Sequence, residues 1–125
     1  MSKDHFERLP ELYLKEIIDF IGKVEEYTAG MPFEKFAKDS RTIDAVDSNI
    51  RKIGEAVRVL AKRGAIKELF YCYRIPSRDL SDMRTDLTHE YFIVNVESIW
   101  KTAQTVIALK PQFQKVLQEV SSRRP

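Results

Sequence analysis

The chain has 125 residues, 43% hydrophobic and 32% charged, with four glycines and five prolines, a composition that suits a folded soluble domain and excludes disordered and collagen-like chains. Its 21 Lys and Arg against 19 Asp and Glu leave a formal charge of +2, too small an excess to mark the whole chain as a nucleic-acid binder. Every apolar run is far short of the roughly 20 residues that cross a bilayer, and residues 1–10 are charged rather than signal-like, so the expectation is one domain over 1–125, with its core at about 10–120, in the cytoplasm and away from membranes.

Along the chain, Leu14, Ile17, Ile18, Ile21 and Val24 recur at steps of three and four, the period of one helix face. Pro10 before them and Gly30 after them suit the start and stop of a first helix. Pro32 can open a short second helix whose Phe33 and Phe36 plug one end of a core. From Arg41 to about Lys62, the residues Ile43, Val46, Ile50, Ile53, Val57 and Leu60 form an unbroken apolar seam, so this segment is predicted as a long helix. Periodicity leaves open whether Val46, Ile53 and Leu60 face the bundle or a second subunit. Gly54 falls within that seam, where glycine costs about 1 kcal/mol relative to alanine, and close approach of a neighbouring helix is the expected reason for it.

Between Arg63 and Pro76, Gly64 can end the long helix, while Leu69 to Tyr73 reads as either a short helix or an extended piece. It contains the single cysteine, Cys72, which can form no internal disulfide and is expected to act as a small apolar residue. A helix is predicted after Pro76, with Ser77 as N-cap and with Asp79 and Asp82 near its positive end, reaching about Tyr91. Asn95 can cap a further helix carrying Val96, Ile99, Trp100, Ala103, Val106 and Ile107. Pro111 either kinks that helix or starts a last one with Phe113, Val116, Leu117 and Val120. The fold class expected from these elements is all-α, an antiparallel up-and-down helical bundle.

The segment Leu80–Tyr91 carries the unusual pattern. At about 100° per residue, Leu80, Met83 and Leu87 make one apolar stripe, and Arg84 falls within it, roughly 40° from Leu80. His89 points about 180° from Leu80, so on a single ideal helix it diverges from Arg84 by about 140°. Two readings fit these residues. In one, Arg84 snorkels to a carboxylate, His89 is a surface histidine and Tyr91 is a core aromatic with a wet hydroxyl. In the other, Arg84 and His89 handle an anion together, because guanidinium forks phosphate oxygens and imidazole moves protons near pH 7. That second reading needs the helix to loosen near His89, or a twin helix across a symmetric dimer.

Other chemistries find less support. His5 is the only other histidine, and the sequence holds no cluster with metal-ligand spacing. Gly22, Gly30, Gly54 and Gly64 are isolated, so no phosphate loop is present. The serines lack evident triad partners. Trp100, at helical spacing with Val96 and Ala103, reads as a core or dimer-interface residue.

The run Arg84-Thr85-Asp86-Leu87-Thr88-His89-Glu90-Tyr91 resembles the arginine, four residues, histidine, any residue, tyrosine signature of the HEPN superfamily. Met31-Pro32-Phe33-Glu34-Lys35-Phe36 with Asp39, then Ala45, Ile53-Gly54-Glu55-Ala56, Ile75-Pro76, Trp100 and Pro111 are similar to its HepT branch, also known as domain of unknown function eighty-six. The resemblance implies an all-helical homodimer with the two motifs facing one another. It implies a metal-independent ribonuclease toxin acting on RNA, with transfer RNA the substrate proposed for the branch, and no cofactor. It further implies a minimal nucleotidyltransferase antitoxin as partner. By the family pattern Arg84 and His89 are catalytic and Tyr91 accepts AMP from the antitoxin. Thr85 departs from the asparagine or other strongly polar residue common after the arginine, and offers one hydrogen-bond donor where an amide has two. The rival reading is a catalytically silent module that binds a nucleotide or a nucleotidyltransferase partner.

Overall fold

The computed structural model describes residues 9–88 and 96–123, and of residues 83–88 the backbone alone. Six helices make up the described residues: α1 (Pro10–Thr28), α2 (Phe33–Phe36), α3 (Ser40–Ala61), α4 (Gly64–Cys72), α5 (Ser77–Thr88) and α6 (Val96–Ser122). Among the described residues no strand occurs, in keeping with the all-α expectation. None of these helices is long and apolar enough to cross a membrane.

The first two helices begin and end where the punctuation residues stand. Pro10 occupies the first turn of α1, where its missing N–H costs nothing. Gly30 follows with φ +70°, a left-handed conformation glycine adopts without a Cβ clash. Leu14, Ile17, Ile21 and Val24 are completely buried. In α2, Phe36 is buried with its ring centroid 5.0 Å from that of Trp100, and Phe33 meets Trp100 edge-on at 5.9 Å. Together these rings close one end of the bundle. Trp100 is thus a partly buried residue packed against the core.

The start of α3 carries a signal that apolar periodicity does not show. Asp39 is its N-cap, accepting from the Thr42 backbone N–H at 3.1 Å and from the Thr42 hydroxyl at 2.7 Å. These bonds favour the carboxylate, and the Thr42 hydroxyl bond is the larger cause of an Asp39 pKa held below its ordinary value. A lowered folded pKa gives stability that is present above the unfolded value and is lost as pH falls through the folded one. Asp39→Ala is therefore expected to lower the thermal midpoint at pH 7, and the gap from wild type should close as pH drops below about 4. Thermal unfolding followed across that range checks it.

Along α3 the seam behaves as its spacing predicts. Val46, Ile50, Ile53, Val57 and Leu60 are fully buried within the single chain. Val46, Ile53 and Leu60 therefore face the bundle, which settles the alternative left by periodicity.

Cross-helix contacts fix the directions. Lys52 lies over the Phe20 ring at 5.7 Å and Arg63 over the Tyr13 ring at 5.8 Å, so α1 and α3 run antiparallel. Lys110 pairs with Glu25 at 3.0 Å. Trp100 sits beside α2, while Phe113 meets Phe70 of α4 at 5.9 Å and 78°. Helix α6 thus starts at the α2 end and rises antiparallel to α1. Helix α5 starts from the α4 end and packs along α3. The four long helices α1, α3, α5 and α6 go down, up, down and up, as the sequence pattern anticipates.

Pro111 neither ends α6 nor starts a new helix, since α6 runs continuously from Val96 to Ser122. Ala103, Val106, Phe113 and Val116, on both sides of the proline, are fully buried. Packing on both flanks offsets the backbone bond that proline cannot make.

Candidate functional site

The position of α5 is set by the turn before it. The segment left undecided by sequence is a helix, α4, ending in a paired turn: the Arg74 N–H bonds the Tyr71 carbonyl at 3.1 Å and the Ile75 N–H bonds the Phe70 carbonyl at 2.8 Å. This is a Schellman arrangement. Arg74 holds φ 60° where such turns usually place glycine, and Ile75 and Phe70 are both buried beside it. Cys72, in the last turn, is exposed. The apolar role expected of it is thereby corrected: the buried face of this short helix is taken by Ile66, Leu69 and Phe70.

Pro76 follows, and its carbonyl accepts the Leu80 N–H at 3.0 Å, the first bond of α5. That makes Pro76 the capping position and Ser77 the first helical residue, one place earlier than the sequence suggests. The Ser81 hydroxyl bonds back to the Ser77 carbonyl at 2.8 Å, and Leu80 is buried at 1% exposure. Tyr73 donates to Glu119 at 2.8 Å, tying the end of α4 to α6. That bond raises the Tyr73 pKa and lowers that of Glu119. The entry to α5 is therefore fastened on both sides.

Arg84 follows Leu80 by four residues on this continuous helix, and Thr85 comes next. Their backbones occupy the part of α5 beyond its buried anchor. His89 and Tyr91 lie outside the described residues. The structure thus brings Arg84 and Thr85 onto one helix packed against α3.

The flank of α3 turned away from α1 holds Gly54, which is buried, and the pair Asp47–Arg51. The Asp47 side chain is only 13% exposed. Among the described residues Asp47 Oδ1 and Arg51 Nε have no hydrogen-bond partner, although both atoms are buried. A carboxylate and a guanidinium, one helical turn apart, thus form a polar strip on that flank. Neither residue stands out in the sequence, because an i,i+4 charge pair reads as ordinary surface until its burial is known.

Comparison with known proteins identifies this architecture. The pattern of the family described as "Ribonuclease HepT-like" matches residues 17–120. The chain belongs to the HepT-like ribonuclease family. A "Probable ribonuclease HepT" from Thermococcus cleftensis is 37% identical over 105 residues, covering 83% of this chain and 92% of that protein. A protein of Caldanaerobacter subterraneus, provisionally named as an RNase, is 32% identical over 113 residues, 90% of this chain and 95% of its own. Another so named, from Methanocaldococcus jannaschii, is 30% identical over 112 residues and covers 89% of each. No solved structure matches at comparable significance. The helices α2 to α5, and the motif run after Leu80, fall inside the matched HepT-like span.

Proposed function

We propose that this HepT-like chain is a metal-independent endoribonuclease toxin, cutting transfer RNA or another RNA, with Arg84 and His89 as its catalytic residues. The observation that carries the reading is the family match across 17–120, within which the run Arg84 to Tyr91 follows the buried anchor Leu80. The chemistry needs no cofactor. RNA holds its own nucleophile, the ribose 2′-hydroxyl, next to the scissile phosphate. As the 2′-oxygen bonds to phosphorus, the bond from phosphorus to the 5′-oxygen breaks, leaving a 2′,3′-cyclic phosphate. The 2′-hydroxyl loses a proton and the departing 5′-oxygen gains one. His89 serves these proton transfers, and the Arg84 guanidinium stabilises the extra negative charge on the pentacoordinate phosphorus. Thr85 supports them with its single hydroxyl donor.

Such a protein is proposed to act as a homodimer, in which two motifs face one another and the divergence of Arg84 from His89 on one helix is resolved across the twofold axis. Its partner is a minimal nucleotidyltransferase antitoxin that transfers AMP from ATP to the Tyr91 oxygen, releasing pyrophosphate. An adenylyl group two residues from His89 adds bulk and negative charge where the substrate phosphate must sit.

Tyr91→Phe removes the acceptor oxygen while keeping the ring. Expressed together with a cognate nucleotidyltransferase, this variant is expected to remain toxic, whereas wild type is neutralised and gains the mass of one AMP group. Neutralisation of Tyr91→Phe equal to that of wild type would contradict control through this hydroxyl.

A further inference from the structure

Helices α1 and α3 leave between them a groove of about 650 Å³ lined by Tyr13, Glu16 and Phe20 from α1 and by residues of α3 and its end, among them Lys52, Lys62 and Arg63. Its α3 wall at Lys52, Ala56, Val59 and Arg63 lies on the flank turned toward α1, roughly opposite Gly54. We propose that this groove binds single-stranded RNA, with Lys52, Lys62 and Arg63 holding phosphates and Tyr13 and Phe20 offering ring faces to bases. The proposal rests on the ribonuclease reading for the identity of the polyanion.

Charge supports that occupant. The groove contains four cations, Lys52, Arg58, Lys62 and Arg63, against two carboxylates, Glu16 and Glu55. This excess of two equals the formal charge of the entire chain, so the remainder is balanced. Arg58 is held by Glu55 at 2.6 Å, and Lys52, Lys62 and Arg63 line the groove beside it. From Lys52 to Arg63 the row extends about 16 Å along the helix, by the rise per residue.

The rings supply the second element of single-strand recognition. Tyr13 and Phe20 stand seven residues apart on α1, hence on one face and about 10.5 Å apart along its axis. Each is already covered by a cation, Arg63 over Tyr13 and Lys52 over Phe20. A strand laid in the groove would exchange these contacts, the bases stacking on the rings while the cations meet phosphates. Sequence tolerance follows, because every base has a face to stack.

The test uses the full chain and a fluorescent 2′-O-methyl oligoribonucleotide, which lacks the free 2′-hydroxyl that cleavage requires. Anisotropy titrations at several salt concentrations compare wild type with Lys52→Gln/Lys62→Gln/Arg63→Gln and with Tyr13→Leu. Lys52 and Lys62 are exposed and Arg63 is half-buried, and circular dichroism verifies the fold. If the triple variant does not fold, the Lys52→Gln/Lys62→Gln pair replaces it. Neutralising three phosphate contacts is expected to weaken binding at least tenfold and to make the slope of log K against log salt shallower by about 2. Tyr13→Leu should weaken binding about tenfold with the slope kept. The charge-preserving Lys52→Arg/Lys62→Arg variant should bind as wild type does. Unchanged affinity and slope in the neutralised variant would overturn the proposal, and unchanged affinity in Tyr13→Leu would overturn the stacking half of it.

Cleavage of unmodified RNA by wild type is measured in parallel. Cutting without groove-dependent binding rejects the groove alone. Groove-dependent binding without cutting rejects the ribonuclease reading alone.

Discussion

Arg84→Ala and His89→Ala are each expected to reduce RNA cleavage by at least about a hundredfold while unfolding at the same temperature as wild type. Proton transfer by a positioned imidazole is worth about 10²–10⁴ in rate. Loss of a donor aimed at developing negative charge costs about 10²–10³. The two effects should not add, because the residues act on one transition state. Stability is expected to hold because the anchor of this helix is Leu80, buried at 1%, together with the turn at Ile75 and Pro76. Initial rates on a defined RNA, read beside a thermal melt, test both halves. Wild-type activity in either variant would remove that residue from the proposed machinery.

The second large effect concerns the packing of α6 on α4. Phe113→Ala is expected to destabilise the fold by about 3–5 kcal/mol, through lost burial and the cavity left behind. Phe113 is completely buried and meets Phe70 edge-to-face, so it joins α6 to α4 two positions after the proline. Against a total of about 5–15 kcal/mol for an ordinary domain, such a loss would remove a large fraction of the stability. Phe113→Leu keeps most of the volume and should cost much less. Leu12→Ala, at a residue 44% exposed, should stay within about 0.5 kcal/mol. Urea unfolding of the three variants checks the ranking, and equal midpoints would contradict the packing described.

What could be read from the chain followed from how local each determinant is. The seam from Val46 to Leu60 was legible because burial on one helix face repeats every three or four residues, and those side chains are fully buried. Gly64–Cys72 was ambiguous because its stop signal is Arg74 at φ 60° instead of a glycine, and nine residues carry little periodicity. The cap of α5 stands one residue before the serine, at Pro76, whose ring has no oxygen to accept a capping bond and so carries no capping signal in the sequence. The Asp39 cap leaves no mark in the apolar periodicity, and its signal in the sequence is the aspartate standing three residues before Thr42.

The candidate site divides in the same way. Arg84 stood out because a cation interrupts an apolar stripe on α5, while His89 and Tyr91 drew their roles from the spacing of a family motif. The pair Asp47–Arg51 and the groove beside Lys52 were not legible. Both depend on which flank of α3 meets which neighbour, and Tyr13 meets Arg63 at a separation of fifty positions. A linear pattern contains no record of that register.

The most direct test of the central claim is incubation of the purified chain with total RNA in EDTA, with His89→Ala alongside on a denaturing gel. The account predicts discrete fragments ending in 2′,3′-cyclic phosphate from wild type, undiminished by the chelator, and intact RNA from His89→Ala. Intact RNA from wild type whose Tyr91 is shown by mass to be unmodified, or equal cutting by the two proteins, would contradict it.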